Sequence, residues 1–179
     1  MKLYKNVDIC DLKSIMEKGI LSIDECRNDN WEDGKRVRND TSVVYLFEPI
    51  GKCNTFPESY GVALLEVECD ARAKEMAEND KHRNDYMEYI TEKVTPSEIK
   101  KIIIPEIFKP YIDIPDGIDV AWCGMKAEWY GNDGLEKCNN EMLKDFAKSA
   151  ELDDSKRFNF FRGVDERGVY LDLYNVEYI

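Results

Sequence analysis

The sequence predicts an α+β fold that ends in a helix and a β-hairpin. Three observations point there. Short apolar runs at residues 43–47, 62–68 and 102–104 have strand length and sharp stops. Apolar residues recur at helical spacing at 8–18 and again after Gly134. Strands and helices do not alternate strictly, which argues against a doubly wound parallel sheet.

In chain order, residues 2–4 form a short first strand. A helix follows over 8–18, with Asp8 as N-cap and Asp11 near the positive helix end. Ile9, Leu12, Ile15 and Met16 make its apolar stripe, and Gly19 stops it. Residues 28–40 are polar and form a long loop anchored by Trp31. VVYLF at 43–47 is a buried strand stopped by Pro49, and 51–59 is another loop. VALLEVE at 62–68 is the next strand. The charged stretch 70–85 reads as a short helix plus loop. A strand carrying Glu88 precedes a turn at Thr95, Pro96 and Ser97, then the apolar strand 102–104, which ends at Pro105. Residues 120–123 form a further strand, followed by Glu128, Trp129 and Tyr130.

Composition shifts at 131–134. A helix is expected after it, with Asp133 as cap, Glu136 three residues on, and Leu135, Cys138, Met142 and Phe146 on one stripe. Residues 158–161 and 169–173 then read as a hairpin around Gly163 and Gly168. The expected division is a main domain at 1–131 and a helix-hairpin extension at 132–179 packed on it. No repeat, low-complexity tract or glycine-rich phosphate loop is present.

The 179 residues suffice for one core. No apolar run approaches the roughly 20 residues of a membrane span. The N-terminus MKLYKNVDICDL carries charges where a signal peptide needs an apolar centre. The expectation is a cytoplasmic protein with no membrane partner. Cys10, Cys26, Cys53, Cys69, Cys123 and Cys138 include no CxxC pair, and His82 is the single histidine. Reduced, mostly buried thiols and no metal site are expected. One histidine, in a polar run, argues against a hydrolase triad. The net charge of −12 repels phosphate backbones at long range. The cluster Lys35, Arg36 and Arg38 can act locally, within a screening length of about 10 Å; on charge alone it reads as a solvated loop.

Three segments taken together carry a resemblance. They are LYKNVDICDLKSIMEKGILS at 3–22, KRVRNDTSVVYLFEP at 35–49, and the strand MEYIT at 87–91 with Pro96 and 102–104 behind it. Their order, with Trp129 and Tyr130 at the close, resembles the DarT-like branch of the ADP-ribosyltransferase superfamily over roughly residues 2–131. That resemblance implies a split β-sheet core with flanking helices. It implies an NAD-dependent mono-ADP-ribosyltransferase acting on a nucleobase in single-stranded DNA or RNA, with a protein side chain as second choice of acceptor. NAD is the implied co-substrate, without a metal.

The resemblance gives Glu88 the catalytic carboxylate's place and Arg36 the catalytic arginine's, with Arg38 in reserve. Lys5, Asn6, Val7 and Ser14 would hold the nicotinamide end, with Ser22 close by. Tyr45 or Phe47 would pack on the nicotinamide ring. A carboxylate near the ribose can bind its 2′-hydroxyl and stabilise an oxocarbenium-like transition state. An arginine offers paired donors to the pyrophosphate or acceptor. Plainer readings stand beside these: Glu88 as a strand-edge charge, Arg36 and Lys5 as solvated residues, and Trp129 and Tyr130 as core packing. Lys5 stands where the branch has histidine, and lysine can only donate. The alternative is therefore a catalytically degenerate protein of the same fold that binds a nucleotide or a protein partner. The 132–179 extension is the candidate surface for that partner.

Overall fold

A computed structural model describes residues 1–27, 40–49, 61–74, 86–152, 162–164 and 170–179. Arg36, Arg38, His82 and the expected loop at 51–59 lie outside the described residues, as does nearly all of the loop expected at 28–40.

The fold is α+β and rich in sheet. Among the described residues its largest element is a seven-stranded mixed sheet. The strands are β1 (Lys2–Val7), β2 (Val44–Pro49), β3 (Ala63–Glu68), β4 (Arg72–Ala73), β5 (Tyr86–Thr91), β6 (Ile99–Pro105) and β7 (Val120–Cys123). Across the sheet they run β4-β5-β2-β1-β3-β6-β7. Neighbours are antiparallel except β6 and β7, which are parallel.

Strand alternation builds the core. Leu3 and Val7 of β1, Leu46 of β2, Leu65 of β3 and Ile102 and Ile104 of β6 are buried. Register puts their side chains on one face of the sheet. The strand expected at 102–104 extends to seven residues. It is preceded by a 3-10 turn, Pro96–Glu98, with a capping box between Thr95 and Glu98.

The first helix begins as a 3-10 turn, Ile9–Asp11, and becomes α1 (Leu12–Lys18). Asp8 precedes it without a side-chain cap bond, its carbonyl accepting from the Asp11 N–H at 3.1 Å. Leu12 and Ile15 are buried, as the stripe requires. Gly19 ends the helix at φ +85°, and a Cβ there would stand 2.0 Å from the Val94 carbonyl oxygen. The chain then exchanges two backbone hydrogen bonds between Ile20 and Val94, at 2.8 and 2.9 Å. Ser22 caps a short second helix, α2 (Ile23–Cys26), too short to show an apolar period in the sequence.

Two expectations are corrected. In the stretch 70–85, where a short helix plus loop is expected, Arg72 and Ala73 form the edge strand β4, and residues 75–85 lie outside the described residues. The open backbone of β5 offers ladder partners there, and this outweighs local helix propensity. The helix expected from Asp133 starts later. Gly131 and Gly134 face each other across a hairpin turn joining β8 (Met125–Gly131) to β9 (Gly134–Lys137). Gly134 sits at φ +111°. The helix α3 (Asn140–Leu152) follows, and Asn139 Oδ1 accepts from the Met142 N–H at 2.9 Å. Asn139 thus does the capping expected of Asp133.

Near the C-terminus a hairpin pairs β10 (Arg162–Val164) with β11 (Tyr170–Asp172), so Gly163, expected in the turn, lies in a strand, and the strand expected at 158–161 lies outside the described residues. The last strand, β12 (Tyr174–Tyr178), joins β8 and β9 in a three-stranded sheet. Phe146 of α3 meets Phe108 edge to face, 6.0 Å between ring centres. Leu143, Phe146, Val176 and Tyr178 belong to the same core cluster as Leu3 and Leu65. Among the described residues no helix is long and apolar enough to cross a membrane.

Candidate functional site

Residues directly opposite on neighbouring antiparallel strands share a sheet face. Register pairs Phe47 with Glu88, Tyr4 with Phe47, Tyr4 with Glu66, and Glu66 with Lys101. Lys74 extends this row by one position beyond β4, its N–H donating to the Glu88 carbonyl at 2.9 Å. A row Lys74, Glu88, Phe47, Tyr4, Glu66, Lys101 therefore crosses one face: charged pairs at both ends and aromatic rings in the middle. The Tyr4 and Phe47 ring centres lie 6.3 Å apart.

The row contains two carboxylates with different surroundings. Glu66 Oε1 takes the Lys2 ammonium at 3.1 Å, and Tyr4 hydrogen-bonds to it as well. Burial first, and the Glu66 charge second, raise the Tyr4 phenol above its ordinary value. Glu88 Oε2 takes the Lys74 ammonium at 2.6 Å, with the two side chains 22% and 25% exposed. Three strand spacings separate Glu66 from Glu88, roughly 14 Å. That exceeds the roughly 5–10 Å at which two carboxyl groups flank one glycosidic bond. Glu66 is thus not an acid–base partner for Glu88.

Tyr45 lies two residues before Phe47 on β2 and shares its face. Its hydroxyl is held at both valences: it donates to the Asp40 carbonyl at 3.0 Å and accepts from the Asp40 N–H at 2.8 Å. Burial raises its phenol, opposed by the bond to Asp40. The anchored ring carries the Lys74 ammonium over its face, 5.2 Å from the centroid. Lys74 therefore bridges a carboxylate and an aromatic face.

The remaining expected site residues divide as follows. Asn6 lies on the Tyr4 face of β1 and is buried. Its Nδ2 donates to the Gly61 carbonyl at 3.1 Å, while its Oδ1 has no hydrogen-bond partner among the described residues. A buried acceptor without a donor is costly and calls for a reason. Lys5 and Val7 fall on the opposite face from Glu88. Val7 is core. Lys5 Nζ donates to the Tyr45 backbone carbonyl at 3.0 Å. The cause is the divergence of β1 from β2: they meet in register only at Tyr4 and Phe47, whereas β1 and β3 share six pairs. The Lys5 ammonium supplies a donor where the ladder fails. Lys5 thus bridges two strands on the face away from Glu88, and Tyr4 takes the position in line with Glu88.

Ser22 is buried and engaged in a capping box with Glu25. Ser14 is exposed on α1. Neither joins the Glu88 face. The structure thus brings together Glu88, Tyr45 and Phe47, with Asn6 on the same face, and adds Lys74 and Tyr4. Lys74 had a faint signal in the alternation Ala71, Arg72, Ala73, Lys74, which is the pattern of a short strand.

The cysteines differ among themselves. Cys69 is buried, Cys123 and Cys138 half-buried, and Cys26 exposed. Burial pushes the Cys123 thiol up to about 11. Among the described residues no three His, Cys, Asp or Glu side chains converge as a metal-binding group would. No protein-family model, curated protein or solved structure matches this chain.

Proposed function

We propose that the protein is an NAD-dependent mono-ADP-ribosyltransferase of the DarT-like type, with a nucleobase in single-stranded DNA or RNA as acceptor and a protein side chain as second choice. The observation that carries this reading is the position of Glu88. It stands in line with Phe47 and Tyr4 on one sheet face, beside the point where β1 and β2 diverge. A fixed carboxylate flanked by aromatic rings suits a sugar cation more than a solvated surface charge does.

Each residue has a task in this reading. Glu88 accepts the ribose 2′-hydroxyl and faces the positive charge that develops at C1′. The bond from C1′ to the nicotinamide nitrogen breaks and nicotinamide leaves neutral. The acceptor atom then bonds C1′ and loses its proton. Asn6 Oδ1, which has no partner among the described residues, fits an N–H donor such as the nicotinamide carboxamide. Tyr45 and Phe47 supply ring faces.

Incubation with labelled NAD, single-stranded oligonucleotides and whole-cell lysate tests the reading. Label is expected in nucleic acid, and Glu88→Gln is expected to lower incorporation by about 10²–10³-fold, the usual cost of losing one preorganised electrostatic contact. A fully active Glu88→Gln protein would rule out this assignment.

A second reading has its own observation. The Lys74 ammonium already neutralises Glu88, and Lys5 lies on the other face. A catalytically degenerate protein of this fold, binding a nucleotide or meeting a protein partner through residues 132–179, accounts for both. Calorimetry separates the two: absence of NAD binding at millimolar concentration favours the second.

A further inference from the structure

We infer that Glu88 and the Tyr45 ring form a binding site for an organic cation, and that Lys74 is its built-in, displaceable occupant. A carboxylate beside an aromatic face attracts cations twice over, by direct charge and by the ring quadrupole. Lys74 meets both groups at once, 2.6 Å from the Glu88 oxygen and 5.2 Å from the Tyr45 ring centre. The Tyr45 ring is held at its hydroxyl by the Asp40 backbone, at both valences. The Glu88 backbone is held within a strand ladder, mid-strand on β5 between β2 and β4. Lys74 is the adaptable member. It sits one residue past the end of the two-residue edge strand β4, at the end of a flexible four-carbon stem. Its side chain is a quarter exposed, so the ammonium has a short path to water.

The chemistry of the site selects the ligand. A flat monovalent cation, such as an N-alkylated pyridinium, can keep its charge near Glu88 and lay its ring against Tyr45. Ammonium is strongly hydrated and gains from leaving the site for water, while a delocalised pyridinium is weakly hydrated and gains from entering. Lys74 therefore acts as a competitor that sets the affinity threshold. The choice of a pyridinium rests on the NAD reading above; the cation site itself rests on Glu88, Tyr45 and Lys74.

The experiment titrates 1-methylnicotinamide, a pyridinium cation, into wild type, Lys74→Gln and Lys74→Arg, following the Tyr45 ring protons by NMR. Lys74→Gln is expected to bind at least about 5-fold more tightly than wild type, and Lys74→Arg no more tightly than wild type. Neutral nicotinamide is expected to gain nothing. In the wild-type protein, the Lys74 ε-methylene protons are expected to be shifted upfield by the Tyr45 ring and to lose that shift at saturation. That last readout needs no variant to fold. Equal affinity in wild type and Lys74→Gln overturns the inference, as does an equal gain for neutral nicotinamide. So does a Lys74 shift that persists while the cation saturates the protein. NAD is titrated in parallel. A Lys74→Gln gain for 1-methylnicotinamide with no NAD binding in either protein sinks the NAD reading and leaves the cation site standing. NAD binding with no effect of Lys74 does the reverse.

Discussion

Glu98 and Glu88 are both carboxylates near strands, yet their surroundings give them different work. Glu98 Oε2 accepts from the Thr95 N–H and from the Thr95 hydroxyl, each at 2.7 Å. The backbone bond, then the hydroxyl bond, hold its carboxyl below the ordinary value of 4.5. A lowered folded value means that the folded state binds the proton less readily than the unfolded chain. The stabilisation is therefore complete above the unfolded value and fades as pH falls through the lowered one. Glu98→Ala is expected to cost about 0.5–1 kcal/mol at pH 7, as for a partly solvated cap. In urea titrations the gap between variant and wild type should narrow steadily below pH 4.5. A gap that stays constant down to pH 3 would mean that the carboxylate is not the stabilising form. The sequence made Glu88 visible as a carboxylate on a strand, but its role depends on what faces it. Lys74, Phe47 and Tyr4 reach it through strand register, and register between distant segments is not written in local spacing. For the same reason Tyr4 rather than Lys5 shares the face of Glu88: a one-residue choice in β1 selects the face.

At the scale of elements, the strands were legible because buried ones read as short apolar runs with hard stops, as at Val44–Pro49 and Ile99–Pro105. The failures came where a pattern fits two periods. Leu135, Cys138, Met142 and Phe146 match a helical stripe, but the triplet Asn132, Asp133, Gly134 is also a hairpin turn. The turn wins because Gly134 can take φ +111° and β8 offers it a partner strand. Glycine thus serves two distinct purposes in this fold. At Gly134 nothing lies within 4 Å of an added Cβ, so only the backbone conformation opposes substitution. At Gly19 the backbone is at φ +85° and the Val94 carbonyl oxygen stands 2.0 Å from the added atom. Gly134→Ala is expected to cost about 1–2 kcal/mol, the price of a left-handed alanine. Gly19→Ala adds a clash with backbone that is itself bonded to Ile20, and is expected to cost more than about 3 kcal/mol. Chemical denaturation of the two variants side by side checks this. Equal losses would show that the close approach of α1's end to Val94 yields without cost.

At the scale of the molecule, the two chain ends close on the two ends of one central strand. The Met1 ammonium donates to the Cys69 carbonyl at 2.9 Å, just past β3. The Tyr178 hydroxyl, fully buried, donates to the Val62 carbonyl, just before β3. Burial drives the Tyr178 phenol far above its ordinary value, so it keeps its proton and remains a donor throughout the physiological range. The composition shift at 131–134, which the sequence offered as a boundary, coincides with the turn of a hairpin whose first strand also pairs with β12. Composition records a surface turn there, while the core runs through it: Met125 and Ala127 precede the turn, Leu143, Phe146 and Val176 follow it, and all are buried together. Two consequences follow from this closure. Tyr178→Phe keeps the ring but leaves a buried carbonyl without its donor, and is expected to lower stability by about 1–3 kcal/mol. A fragment ending at residue 131 loses every core contact that α3 and β12 make with Phe108, Met125 and Ala127. Such a fragment is expected to lack a cooperative thermal transition and to show poorly dispersed amide resonances, while the full chain melts in a single step. A well-dispersed spectrum from residues 1–131 alone would mean that the seven-stranded sheet is self-sufficient and that the C-terminal segment is an accessory. The Tyr178→Phe protein distinguishes these views independently. If the sheet needs its C-terminal cover, hydrogen exchange speeds up throughout the seven-stranded sheet; if it does not, only β12 and its neighbours exchange faster.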